Sequence, residues 1–173
     1  ESLICGSRFT YLYSPSYTLE AKQVAHFADT LPRPNVVILY GSKEKDSVMA
    51  FSYKAEIEKS GKNVSHMRRF DRASMRNLSA FIRKVSKENI DLLSHIYVAS
   101  DYSFFGASIL SSVEEYDIKV PLFITIDWLN IDMIGNDYEL FHRRNVHFVG
   151  GRYLDRVNNI HVQQFRKKNF DIW

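Results

Sequence analysis

Cysteine is almost absent from this sequence of 173 residues, and its scarcity excludes several classes of protein. The single thiol, Cys5, cannot form an intramolecular disulfide, so a disulfide-stapled scaffold is excluded. A metal site built from several cysteines is excluded for the same reason. We therefore expect an apolar core to hold the fold together, and a hydrophobic content of 45% is sufficient to build one.

Long apolar runs are also absent. No stretch approaches the roughly 18–20 apolar residues of a transmembrane helix, and no charged start followed by an apolar segment indicates a signal peptide. The sequence begins at Glu1 without an initiator methionine. We interpret it as a trimmed piece of a longer protein, from which any targeting segment has been cut off.

The glycine patterns that cradle nucleotide phosphates, GxGxxG and GxxxxGK[ST], do not occur, and neither does the GxSxG elbow of hydrolases. The six histidines show no HxxxH or HxH spacing, and His95 and His147 fall inside predicted strands. We therefore expect no catalytic residues, no metal and no cofactor. The sequence does not indicate an enzyme.

Basic residues are concentrated between Lys62 and Lys87. A basic stretch can track phosphates, but four of these cations share the polar side of a predicted amphipathic helix: Arg76, Arg83, Lys84 and Lys87. That arrangement is typical of a solvated helix face, and acidic stretches later in the chain weaken the long-range field. We expect no nucleic-acid partner.

Strand-like and helix-like segments alternate along the chain. The predicted strands are Phe9–Tyr13, Val36–Tyr40, Val64–Met67, His95–Ala99, Pro121–Ile126 and Val146–Val149. The predicted helices are Leu19–Leu31 (capped by Thr18), Asp46–Ser60 (ending at Gly61), Ser74–Lys87, Phe104–Tyr116, Asp132–His142 and Asn158–Lys168. Nearly all-apolar strands are buried on both faces. The sequence therefore predicts an α/β fold, a three-layer αβα sandwich around a mostly parallel, doubly wound sheet.

Polar residues follow several of these strands. In doubly wound sheets ligands bind beyond the carboxyl ends of the strands, where the strand order reverses. Ser42, Asp101 and Asp127 come shortly after three different strands. Such residues are also ordinary turn and cap residues, but as a set they predict a ligand-binding edge.

Several segments, in this order, resemble the second lobe of type I periplasmic binding proteins of the branched-chain-amino-acid receptor type. The most recognisable is Lys87–Asp91 (KENID), which leads into His95–Asp101 (HIYVASD). The others are Tyr17–Leu31 with Asn35–Tyr40, Glu56–Gly61, Phe70–Lys84, Gly106–Tyr116 with Val120–Ile126, Val146–Gly150 and Phe165–Asn169. The resemblance covers residues 9–170 and implies that residues 1–173 are one flavodoxin-like lobe, a fragment of a larger two-lobe protein.

By position, the resemblance implies that a small, amino-acid-like solute is bound in an interlobe cleft for transport or sensing. The residues implied to contact it are Ser42, Asp46, Asp101, Tyr102, Ser103, Asp127 and Trp128. Among them, Asp101 and Asp127 offer carboxylates for an ammonium group, and Tyr102 and Trp128 offer aromatic faces. The implied partners are the solute and a membrane transporter or receptor, and an exposed cleft face favours a homodimer. The resemblance also implies a periplasmic or exported protein whose signal segment is not in this sequence.

Two other readings stay open. The family usually places Tyr-Gly or Asp-x-Gly in the loop after the NVVILY-type strand, whereas Gly41–Asp46 (GSKEKD) contains no aromatic residue. This difference favours the first alternative, a structural or protein-interaction domain that kept the fold and lost the solute. The second alternative is a small α/β hydrolase.

Overall fold

Strands and helices alternate through the described part of the chain, which in the computed structural model comprises residues 16–100, 103–125 and 145–149. These residues belong to one compact unit, Tyr17–Val149, apart from Ser16. The strands are β1 (Asn35–Tyr40), β2 (Asn63–Arg69), β3 (Leu93–Ala99), β4 (Leu122–Thr125) and β5 (Val146–Val149). The helices are α1 (Tyr17–Asp29), α2 (Glu44–Lys59), α3 (Leu78–Asn89) and α4 (Ser103–Glu115), with a 3-10 turn at Ser74–Asn77 before α3.

The five strands form one sheet in the order β2-β1-β3-β4-β5, and every neighbouring pair is parallel. The prediction of a doubly wound, flavodoxin-like α/β sandwich is confirmed. Three further predicted elements, Phe9–Tyr13, Asp132–His142 and Asn158–Lys168, lie outside the described residues.

Two apolar cores cover the two faces of the sheet. Side chains alternate along a strand, so Val36 and Ile38 of β1 pack under α1 and α2, while Val37 and Leu39 pack under α3 and α4. All seven residues of β3 are buried. The strands are almost entirely apolar because both of their faces are buried, as the sequence predicted.

The buried stripe of α1 differs from the predicted one. The prediction placed Leu19, Val24, Phe27, Ala28 and Leu31 on one face, but the Phe27 side chain is 58% exposed and Leu19 is 39% exposed. The residues that pack inward are Ala21, Val24, Ala25 and Ala28. Small side chains let α1 lie close to its neighbours. The Phe27 ring instead lies at the border of the layer, edge-on to Phe123 with centroids 6.0 Å apart.

Helix boundaries shift by a few residues from those predicted. Thr18 does not cap α1, because the helix already includes Tyr17, and α2 begins at Glu44 rather than Asp46. The predicted Ser74–Lys87 helix is divided into the 3-10 turn and α3, because the Asp71 carboxylate accepts the Ser74 N–H at 2.8 Å and starts the chain in a tight turn. Gly61 adopts a φ of +91° after α2, which confirms its predicted role at the helix end.

Two cations tie the amino edge of the sheet together. The Lys62 side chain is nearly buried, and its ammonium donates to the carbonyls of Leu31 and Arg33 at 2.5 and 2.9 Å. The Arg33 guanidinium in turn donates to the carbonyls of Ile90 and Leu93, each at 3.2 Å. The LPRP connection between α1 and β1 is therefore fixed to the loop that enters β3.

A polar network crosses the core beneath α2. The Nε2 atom of His95, which is fully buried, bonds to the Tyr53 hydroxyl, and its Nδ1 atom lies 2.8 Å from the Ser94 hydroxyl. The Tyr53 and Tyr97 rings stack with centroids 3.9 Å apart. Burial lowers the pKa of His95 to about 3, with a further contribution from Lys62, so the imidazole is neutral in the folded protein.

The buried neutral imidazole makes stability depend on pH. The folded-state pKa of His95 lies below the ordinary value of 6.5, so the unfolded chain takes up the proton first as the pH falls. We expect His95 to cost on the order of 3 kcal/mol of unfolding free energy between about pH 6.5 and pH 4. Urea unfolding measured at several pH values in this range should give an unfolding free energy that falls less steeply with decreasing pH for His95→Gln than for the natural protein. Parallel curves for the two proteins would contradict the assignment.

Candidate functional site

The strand order reverses between β1 and β3, and this places a crevice at their carboxyl ends. The chain leaves β1 for α2 on one face of the sheet and leaves β3 for α4 on the other. Two segments meet there: residues 41–43 after β1, and Ser100 after β3. The Gly41 N–H donates to the Ala99 carbonyl at 3.1 Å, so the two strand ends are joined directly.

Glycine is required at position 41 because there is no room for a side chain, not because of the backbone conformation. A Cβ atom at this position would lie 2.2 Å from Oδ2 of Asp46 and 2.8 Å from Oγ of Ser100. Both neighbours are buried and have little room to move away. The absence of a side chain at Gly41 therefore lets the Asp46 carboxylate and the Ser100 hydroxyl approach the end of β1.

Asp46 points inward and fixes the loop that precedes α2. Its side chain is only 2% exposed, and Oδ2 accepts the backbone N–H of Lys43 at 3.3 Å. A carboxylate in the first helical turn also interacts favourably with the helix dipole. Asp46 thus holds the loop in one conformation from within.

The other predicted site residues fall into two groups. Ser42 is exposed on the same loop, and Ser103 is the first residue of α4, which follows β3. The structure therefore places both at the carboxyl edge by their position in the fold. Asp101, Tyr102, Asp127 and Trp128 lie outside the described residues.

Tyr97 is a polar group at this site that the sequence analysis did not single out. Its hydroxyl is buried and has no hydrogen-bond partner among the described residues. Burial raises the pKa of Tyr97, and the negative charges of Glu20 and Asp46 raise it further, so the phenol stays protonated. In the sequence, Tyr97 is simply an aromatic residue in an apolar strand, and no local signal reveals its neighbours.

Aromatic side chains also contact α2, although the loop before it contains none. The Tyr40 ring at the end of β1 packs edge-on against Phe51, with centroids 6.0 Å apart, and Phe51 remains largely exposed. On the other side, the Lys45 ammonium lies 5.8 Å from the centroid of the Tyr17 ring. These rings come from three elements, so the loop sequence could not reveal them. The one signal in the sequence is the position of Phe51 in α2, which does not share the four-residue spacing of the buried Met49, Tyr53 and Ile57.

Two searches of the described residues gave negative results. No group of three or more His, Cys, Asp or Glu side chains in these ranges could hold a metal ion. None of the helices in the same residues combines the length and apolarity needed to cross a membrane.

Comparison with known proteins found similarity in structure alone. No family model matches the chain, and no curated protein matches its sequence. A protein from Silicibacter pomeroyi that is described as a branched-chain amino acid ABC transporter superposes with a TM-score of 0.63 at 15% identity. The match covers 94% of this chain and 42% of that one. An extracellular ligand-binding receptor from Verminephrobacter eiseniae superposes with a TM-score of 0.60 at 13% identity. The match covers 100% of this chain and 49% of the receptor.

A third solved structure is an ABC transporter substrate-binding protein from Desulfitobacterium hafniense in complex with Leu. It gives a TM-score of 0.56 at 20% identity, over 66% of this chain and 33% of that one. The chain has the fold of a type I periplasmic-binding-protein lobe. The predicted resemblance is thereby confirmed for the fold. The chain spans between a third and a half of the length of these three proteins.

The packing at Gly41 leads to a specific stability test. We expect Gly41→Ala to lower the free energy of unfolding by about 2–3 kcal/mol, because the new methyl group overlaps a buried carboxylate. In an Asp46→Ala background the same change should cost less, because the closest atom has been removed. Denaturant unfolding of the four proteins of this cycle measures the coupling. Additive effects would contradict the proposed contact.

Proposed function

We propose that this chain is the solute-recognition lobe of a two-lobe receptor and has no catalytic role. The observation that carries the proposal is the crevice at the carboxyl ends of β1 and β3, in a fold shared with ligand-binding receptors. One of these, the Desulfitobacterium hafniense protein, is described in complex with Leu. Ligands of doubly wound sheets bind at such a reversal of strand order.

We propose that the solute is amino-acid-like and lies between this lobe and a second one. The exposed Ser42 hydroxyl both donates and accepts hydrogen bonds, which suits a carboxylate or hydroxyl group. The Tyr40 ring directly precedes this loop, and together with the Phe51 ring packed against it, it can cover an apolar side chain. We propose Ser103, the first residue of α4, as a further contact of the solute.

We propose a different role for Asp46 than for the other site residues. Its carboxylate is almost fully buried and already accepts the Lys43 N–H. We propose that it acts on the solute indirectly, by holding the loop that presents Ser42. The ammonium group of the solute would instead be bound by Asp101 and Asp127, with Tyr102 and Trp128 against its apolar part.

The remaining partners follow from the same proposal. A solute receptor of this fold would work in an exported compartment and deliver its solute to a membrane transporter or signal to a receptor partner. We also propose that the lobe alone forms a homodimer through its uncovered cleft face.

Calorimetric titration of the complete gene product with amino acids and small sugars tests solute binding. For the solute that binds, Ser42→Ala should weaken affinity by about 2- to 10-fold, the contribution of one neutral hydrogen bond. Asp101→Asn should weaken it by more than tenfold if the carboxylate pairs with an ammonium group.

Ser60→Ala is the matched control. Ser60 follows α2 at the opposite edge of the sheet, where its hydroxyl donates to the Ile57 carbonyl at 2.8 Å. This variant should bind the solute like the natural protein. If no amino acid or sugar produces heat, the receptor proposal fails and the interaction-domain alternative replaces it. Turnover of ester or phosphate substrates that Asp101→Ala abolishes would instead establish an enzyme.

A further inference from the structure

A shallow, open groove lies on the outer side of the layer formed by α3 and α4, away from the proposed solute site. Its volume is about 630 Å³, and it runs along α3 with Tyr116, the residue that follows α4, on its other side. The Ser79 and Tyr116 hydroxyls lie 3.0 Å apart and join the two sides. We call this feature the α3 groove.

Uncompensated positive charge lines the α3 groove. Arg76, Arg83 and Lys87 are exposed along it, and none of the three has an ion pair with another described residue. Lys84 differs, because its ammonium lies 3.8 Å from Glu88. The other oxygen of the same Glu88 carboxylate lies 3.5 Å from Nε2 of His66, so this acid is shared.

The distribution of charge limits what can lie in the groove. Glu88 lines the groove at the last turn of α3, and the exposed Glu115 directly precedes Tyr116. A long polyanion would pass these acids and be repelled, since duplex DNA carries one charge per roughly 1.7 Å. An extended anionic membrane surface would likewise bring its charges against Glu88 and Glu115. The distribution of charge therefore favours a short anion that contacts the cations and ends before the acids.

We propose that the α3 groove docks a short acidic peptide segment of a partner protein. Guanidinium groups bind carboxylates through two parallel hydrogen bonds, and two of the three unpaired cations are arginines. Arg83 and Lys87 are four residues apart on α3, so they present their charges on one face. The paired hydroxyls of Ser79 and Tyr116 add neutral polar contacts for the peptide backbone. This proposal is independent of solute binding.

Fluorescence anisotropy with the full chain and a labelled Glu-rich peptide tests the proposal. The peptide should bind, its Gln-for-Glu counterpart should not, and affinity should fall as salt is raised. Arg76→Glu combined with Arg83→Glu should weaken binding by about tenfold or more, since two attractions become repulsions. The same double variant should gain affinity for a Lys-rich peptide.

The matched control is Lys22→Glu combined with Lys59→Glu, which changes the net charge equally but in the α1 and α2 layer. Both lysines are exposed, so this variant should fold and bind the Glu-rich peptide like the natural protein. Equal weakening by the two double variants would overturn the proposal, as would binding of the Gln peptide. Tighter binding of a DNA duplex or of anionic vesicles than of the peptide would also overturn it.

Discussion

The structure depends on the burial of β1 and β3 from both sides. A strand covered on two faces needs a helical layer above and below, and its backbone groups must all be paired within the sheet. The parallel ladders on either side of β1 and β3 meet that need. Because the two strands lead to opposite layers, the same constraint creates the crevice at their carboxyl ends.

Much of this fold could be predicted because the relevant signals are local. Runs such as Val36–Tyr40 and the periodic apolar face of Leu78, Phe81, Ile82 and Val85 identify their elements without knowledge of the neighbours. The α1 stripe could not be predicted in this way. Hydrophobicity favoured Phe27 over Ala21 and Ala25, but the two alanines face inward with Val24 and Ala28, and Phe27 is mostly exposed.

The candidate site was less predictable because its contacts join distant segments. The sequence placed the polar residue Ser42 shortly after a strand, but it could not show that Asp46 turns inward against Gly41 and Ser100. The local sequence of an acidic residue at a helix start does not show whether its side chain faces solvent or the protein interior. The aromatic surroundings were hidden for a related reason, since Tyr40, Phe51 and Tyr17 come from separate elements.

The nearly buried Lys62 gives the chain an internal marker of chemical reactivity. Amine reagents need access to the lysine nitrogen, and the nitrogen of Lys62 is nearly buried and donates to two backbone carbonyls. In the native protein Lys62 should therefore resist acylation while the exposed Lys22 and Lys59 are modified readily. The order in which the lysines are labelled thus reports whether the joint between α1 and the sheet is intact.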